Sequence, residues 1–349
     1  MRLIDTPLET IAPKIGASNV WSARVDGIRF PMVAATRSGQ FAVAGSGGDV
    51  LVLRADSGRE VWRANAGSAI SAGVGSDGRF VTVATVGNEV VTFDAGRELW
   101  RKRVPARVVT APLVAGERVF VMSVDRVVHA FDATDGRRLW TLQRPGDALT
   151  LAQGSVLTSY RNLLVVGQGP RLAGVDPTKG TVQWEVPVGT PRGTNEVERL
   201  ADLLGPAVRV GDQICLRSFQ SATGCVDASR GTLAWSRPGG GVQAVGADKE
   251  RVIGADASDR ITAWRASNGE TAWTSEKLLY RSLSGMLLSG GSAVVGDGEG
   301  YVHFLSAANG DQQLRLPTDG SPIIGAPVLA EGTILVATRN GGLFAFRLN

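Results

Sequence analysis

Short apolar runs separated by turn residues recur along the whole chain, and residues 111–143 show the pattern in a single unit. Four runs follow one another there: Ala-Pro-Leu-Val-Ala-Gly, Arg-Val-Phe-Val-Met-Ser-Val, Arg-Val-Val-His-Ala-Phe-Asp and Arg-Leu-Trp-Thr-Leu-Gln. Their β-branched and aromatic content, with turn residues between them, predicts an antiparallel four-stranded meander. The unit repeats. A glycine four residues ahead of a tryptophan recurs as Gly58/Trp62, Gly96/Trp100, Gly136/Trp140, Gly180/Trp184, Gly231/Trp235 and Gly269/Trp273. Gly310 continues the series with Leu314 in the tryptophan's place. Successive units lie about 42 residues apart, the period of a four-stranded propeller blade.

Third strands are predicted at Asp49–Arg54, Glu89–Asp94, Arg126–Asp132, Arg171–Asp176, Thr223–Asp227, Arg260–Arg265, Tyr301–Ser306 and Leu343–Arg347, which makes eight blades. The unit that begins at Gly325 has only three strands before Asn349. Asn19–Arg24, containing Trp21, supplies the fourth, so both ends of the chain meet in one sheet and the ring cannot open. The expected fold is therefore all-β: an eight-bladed β-propeller of four-stranded antiparallel blades, closed by an N-terminal strand. Residues 1–18 form an extended lead-in and residues 19–349 a single propeller. Trp21, Trp62, Trp100, Trp140, Trp184, Trp235 and Trp273 are expected to fill the gaps between neighbouring blades. Trp264 falls in a third strand, outside that register.

With 43% hydrophobic and 20% charged residues in 349, the chain can bury a large core, and disorder or a coiled coil is ruled out. It reads as soluble. No run approaches the roughly 18 apolar residues of a membrane span, and Met1–Thr10 lacks the basic start and apolar stretch of a signal peptide. The net charge of +4 comes from 37 basic and 33 acidic residues that are interspersed, which describes a mixed solvated surface rather than a nucleic-acid stripe.

Candidate chemistry is sparse. His129 and His303 stand at equivalent positions of blades three and seven, on opposite sides of the ring, so they cannot share a metal or a catalytic triad. They read as packed third-strand residues. The clusters Gly45-Ser-Gly-Gly48 and Gly239-Gly-Gly241 lack the helix and lysine of a phosphate loop and read as blade turns. No titratable pair or activated nucleophile is brought together by the repeat, which argues against catalysis. Cys215 and Cys225 flank a hairpin that turns near Gln220-Ser221. A two-residue turn would point them to opposite faces, and a three-residue turn would set them directly opposite each other. Two buried thiols are the default reading and a disulfide the alternative.

The spacing Asp-Ala-x-x-Gly-x-x-x-Trp, as at Asp132 to Trp140 and Asp227 to Trp235, resembles the repeat of pyrroloquinoline quinone (PQQ) propellers. That superfamily holds both quinoprotein dehydrogenases and binding proteins without the cofactor. The dehydrogenases run to nearly twice this length, carry adjacent cysteines and bind Ca²⁺ through acidic and amide side chains. This chain has its cysteines ten apart and few acidic residues on inner strands, so no cofactor is expected.

Two connections break the repeat: Arg144–Gly154 between blades three and four, and Thr190–Leu204 between blades four and five. They are either tolerated surface insertions or, given the apolar Val197, Leu200, Leu203 and Leu204, a partner site. The segment Gly193-Thr-Asn-Glu-Val-Glu-Arg-Leu-Ala-Asp202, followed by a Pro-Ala-Val strand, resembles the long loop of the BamB family of outer-membrane β-barrel assembly lipoproteins. Tyr280-Arg-Ser-Leu, Val295-Gly-Asp-Gly-Glu-Gly-Tyr301 and Asp259-Arg-Ile are similar to its later blades.

That resemblance implies a non-catalytic periplasmic scaffold that binds a POTRA domain of BamA and meets nascent outer-membrane proteins. It also implies a membrane attachment made only through an N-terminal lipid that this sequence does not carry. The rival reading is a PQQ-like module for another envelope partner, and a PQQ-dependent dehydrogenase is the third. The implied partner-binding residues are Leu149, Leu151 and Ala152 in the first connection and Glu196, Arg199, Asp202 and Leu204 in the second. Ala152 stands where the family has an arginine, and Leu204 where it has a second aspartate, so the patch is expected to bind more by burial than by charge. Leu149 and Leu151 are the expected anchors and Asp202 the residue that orients a basic group. The alternation of Ala-Leu-Thr-Leu-Ala also permits a half-buried strand with both leucines inward.

Overall fold

The structure is a computed structural model that describes residues 6–144, 151, 153–190 and 200–349. Among these residues, the strands assemble into eight four-stranded antiparallel sheets. Seven sheets are simple meanders. The eighth joins Ala17–Arg24 to the last three strands of the chain, with Ala17 opposite Leu348 and Arg24 opposite Gly342. The third strands run Asp49–Arg54, Glu89–Asp94, Val128–Asp132, Arg171–Val175, Ala222–Asp227, Ile261–Arg265, Tyr301–Ser306 and Gly342–Leu348, within two residues of those read from the repeat. The all-β, eight-bladed, N-terminally closed expectation is met.

Burial follows from the stacking of sheets. The second strand of blade two, Phe80–Thr85, is buried at every position because a neighbouring blade covers each of its faces. Outer strands alternate instead, as Glu60–Asn65 does, since one edge meets solvent. A register shift recurs in the third-to-outer pairing of blades one to seven, between Val52 and Leu53, Ala130 and Phe131, Cys225 and Val226 and their equivalents. The bulge twists the outer strand just as it brings each tryptophan, or Leu314, into place.

The glycine and the tryptophan of the repeat meet across a blade boundary. Gly136 of blade three sits at φ 68°, and a Cβ there would lie 2.6 Å from Cδ2 of Trp100 in blade two. The position therefore requires glycine twice, for its left-handed backbone and for the ring that lies on it. The Trp100 indole N–H then donates to the Ala133 carbonyl at 2.8 Å. Trp21, Trp62, Trp140, Trp184, Trp235 and Trp273 lie in the same way on Gly58, Gly96, Gly180, Gly231, Gly269 and Gly310. Trp184 differs: its ring also presses on Gly174 of its own blade, and its indole N–H is buried without a hydrogen-bond partner.

Ahead of the closing strand, residues 6–16 run over blade seven. The Thr6 amide donates to Leu279 O and the Lys14 amide to Gln313 O, while Arg281 and Arg315 donate to the carbonyls of Thr6 and Glu9. Leu8 packs on the core of blades six and seven.

The cysteines correct the default reading. The turn is the three-residue Phe219–Ser221, so Cys215 and Cys225 are directly opposite in register and joined by a disulfide. His129 and His303 lie in blades three and seven and are both buried, His129 beside Phe131 and His303 beside Tyr301.

Two outcomes follow for stability. Trp100 is 6% exposed, and Trp100→Ala should destabilise by about 3–5 kcal/mol in urea unfolding. The half-buried Trp184, which satisfies no indole hydrogen bond, should cost less on the same substitution. Replacing both cysteines by alanine should lower stability by about 2–3 kcal/mol through the lost constraint on the unfolded chain, and this difference should shrink toward zero when reductant in the assay opens the wild-type disulfide.

Candidate partner-binding site

The connections that lead from each outer strand to the next blade share one face of the ring with the turns between second and third strands. On the sector of that face formed by blades three to five, Asp202 is the junction. It directly precedes the first strand of blade five, Leu203–Val210. Its backbone carbonyl accepts from the Phe219 amide at 2.8 Å, and the next amide, Leu203, donates to Gly169 O at 2.9 Å. The residue is thus wedged between the turns of blades four and five.

Its carboxylate reaches the other way. Oδ1 accepts from Arg126 Nη2 at 3.3 Å, and Oδ2 accepts from the Leu151 amide at 3.0 Å. Arg126 is the left-handed residue in the second turn of blade three, and its carbonyl accepts from Gln168 Nε2 of blade four at 2.7 Å. One carboxylate therefore links the turn of blade three and Leu151, ahead of blade four, to the start of blade five. With both side chains of the ion pair only 13–14% exposed, water screens the contact little. A small cavity of 40 Å³ lies beneath, walled by Leu151, Asp202, Leu203 and Leu204 among others.

The second connection leaves and returns at a single turn. The Thr190 amide donates to Ser221 Oγ, and Ser218 Oγ donates to the Ala201 carbonyl at 2.6 Å. Of the sequence-derived residues, Leu149, Ala152, Glu196 and Arg199 lie outside the described residues. Leu151 is half-buried and Asp202 lies against it. Leu203 and Leu204 depart from the expectation of an exposed apolar loop: they open a strand whose faces are covered, and Leu204 is 3% exposed. Leu204 supports the connections from below and adds no surface. Asp202 departs as well, since the basic group it orients is the chain's own Arg126. Arg126, Gln168 and Ser218 were invisible as site residues because their partners come from other blades.

The segments at Asp259, Tyr280–Leu283 and Val295–Tyr301 form a second constellation on this face. Asp259 accepts from the amides of Ser282 and Leu283, and burial pushes its carboxyl up despite those bonds. Asp297, wholly buried, accepts from Arg281 Nε and from His303 Nε2, both at 2.9 Å. Burial would raise Asp297, but these donors and the Tyr301 amide outweigh it and hold the carboxyl below its usual range. Burial pushes His303 down despite the carboxylate. Apart from the buried Nδ1 of His303, which has no hydrogen-bond partner, these groups bond to one another and fix the connection between blades six and seven. A cavity of 1090 Å³ runs along the ring axis, lined by residues such as Gln153, Gln243, Asp256 and Arg281. Among the described residues no cluster of three or more His, Cys, Asp or Glu side chains is placed to hold a metal.

The sequence profile of a family described as "Outer membrane protein assembly factor BamB" matches residues 46–275. The chain belongs to the BamB family. It is 35% identical to the outer membrane protein assembly factor BamB of Burkholderia pseudomallei, across 99% of this chain and 92% of that one. It is 34% identical to the BamB of Bordetella pertussis, across 98% and 90%. The crystal structure of BamB from Moraxella catarrhalis superposes with a TM-score of 0.86 over 95% of this chain and 100% of that one, at 21% identity. This is a family of non-catalytic assembly factors, so the quinoprotein dehydrogenase reading falls away.

The Asp202 junction makes a specific prediction. Asp202→Ala removes the acceptor of the Leu151 amide and leaves Arg126 without this carboxylate. Hydrogen exchange at the Leu151 amide should rise at least tenfold, while global stability falls by about 1.5–3 kcal/mol.

Proposed function

We propose that this chain is a scaffold of the barrel-assembly machinery on the periplasmic side of the outer membrane, docking a POTRA domain of BamA through the connections of blades three to five. The observation that carries the reading is the Asp202 junction, which ties Leu151 of the first irregular connection and Arg126 of blade three to the end of the second connection. Leu149 and Leu151 are the anchors in this reading, and Ala152, Glu196 and Arg199 are further contact residues. In this reading residues 19–349 act as one propeller, residues 1–18 lead toward a lipid anchor carried upstream, and nascent outer-membrane proteins are met in the assembled complex. The buried disulfide fits the oxidising compartment that the reading requires.

Because Asp202 is engaged within the chain, association should depend little on its charge and mainly on burial of the leucines. Each leucine fully covered by the partner contributes about 1.5–3 kcal/mol. The double variant Leu149→Arg with Leu151→Arg should therefore lose POTRA binding by at least a hundredfold, with its circular dichroism unchanged. Unchanged affinity in the folded variant contradicts the site, and loss of folding shows that the leucines belong to the core. A partner other than BamA is favoured if wild-type protein ignores the POTRA domains.

A further inference from the structure

Arg217 lies in the second strand of blade five, Gln213–Ser218, at 1% exposure, the largest fully buried side chain among the described residues. Among the described residues no carboxylate comes within ion-pair distance of it. Its Nη1 donates to the Gly240 carbonyl at 2.7 Å, but Nε and Nη2 are buried without an acceptor. Those two nitrogens are not a random pair: they form one edge of the planar guanidinium, the parallel fork that grips a carboxylate or halide. Thr223 stands directly opposite across the ladder, on the same face of the sheet, and its buried hydroxyl is also unpartnered.

The surroundings are shaped for this cation. A side chain at Gly241 or Gly254 would collide with Nη1 or Nη2, so the neighbouring blade supplies glycines where the guanidinium lies. Burial draws Arg217 down to about 10, against a raising influence from Asp256, which leaves it charged at neutral pH. A desolvated guanidinium with no counter-ion is costly to bury, a cost that a bound anion removes.

We propose that the Nε and Nη2 edge of Arg217, with the Thr223 hydroxyl, is a buried site for a small monovalent anion of chloride size, sealed between blades five and six. The near-complete burial excludes a partner's side chain and selects a small ion. The site is independent of POTRA docking.

The test compares melting in sodium bromide and in sodium gluconate at equal ionic strength, for wild type, Arg217→Met and Thr223→Val, together with anomalous diffraction from crystals grown in bromide. Wild type should melt higher in bromide by on the order of 2 °C, with a bromine peak against Nε and Nη2. Arg217→Met should lose both, and Thr223→Val should weaken the shift. Should Arg217→Met fail to fold, the bromine peak in wild type still decides. Equal melting in both salts with no bromine peak, or a water in contact with both nitrogens, overturns the proposal.

Discussion

The contact on which the propeller depends is the indole ring of one blade lying on the left-handed glycine turn of the next. It couples two otherwise separate sequence features. The glycine gives the turn before an outer strand its backbone conformation and, having no side chain, also gives the preceding blade's ring a flat bed. Repetition of this contact sets the spacing of neighbouring sheets, which allows second and third strands to be apolar on both faces. The Trp21 ring on Gly58, with its indole N–H on Ala55 O, carries the same contact across the closure from blade eight to blade one.

A ring held this firmly frees its face connections to vary. Several of its turns are short and closed by local Asx bonds, such as Asp256 accepting from the amides of Ser258 and Arg260. The connections flanking blade four are longer, and a long-range carboxylate at Asp202 ties Leu151 of the first to the end of the second. The same device appears at Asp259 and Asp297, where acidic residues from two turns clamp the segment around Arg281. At Asp202, Asp259 and Asp297 the acidic side chains on this face serve as acceptors for the chain's own amides and arginines.

What could be read from the sequence was what local chemistry decides. The third strands emerged almost residue for residue because each lies between a turn and a glycine at fixed offsets, and the closing strand emerged because blade eight was one strand short. Readings that depended on a single residue of turn length fared less well: the extra residue in Phe219–Ser221 turned two thiols into a facing pair. Leu203 and Leu204 read as loop because they adjoin an insertion, yet they already belong to a covered strand. Asp202 was singled out as the residue that orients a partner's basic group, whereas the groups it bonds here, Arg126 and the Leu151 amide, lie 76 and 51 residues away within the chain and no periodicity links them. Arg217 was equally hidden, because a strand covered on both sides has no polar face to betray a buried charge.

The central claim is that the face carrying the connections of blades three to five is the docking surface. Hydrogen–deuterium exchange of the intact chain, alone and with the POTRA domains of BamA, tests it most directly. The account predicts new protection concentrated at residues 149–152 and 196–204, with the outer strands and the opposite face unchanged. Protection confined to outer strands or to the opposite face, with none at those connections, would contradict it.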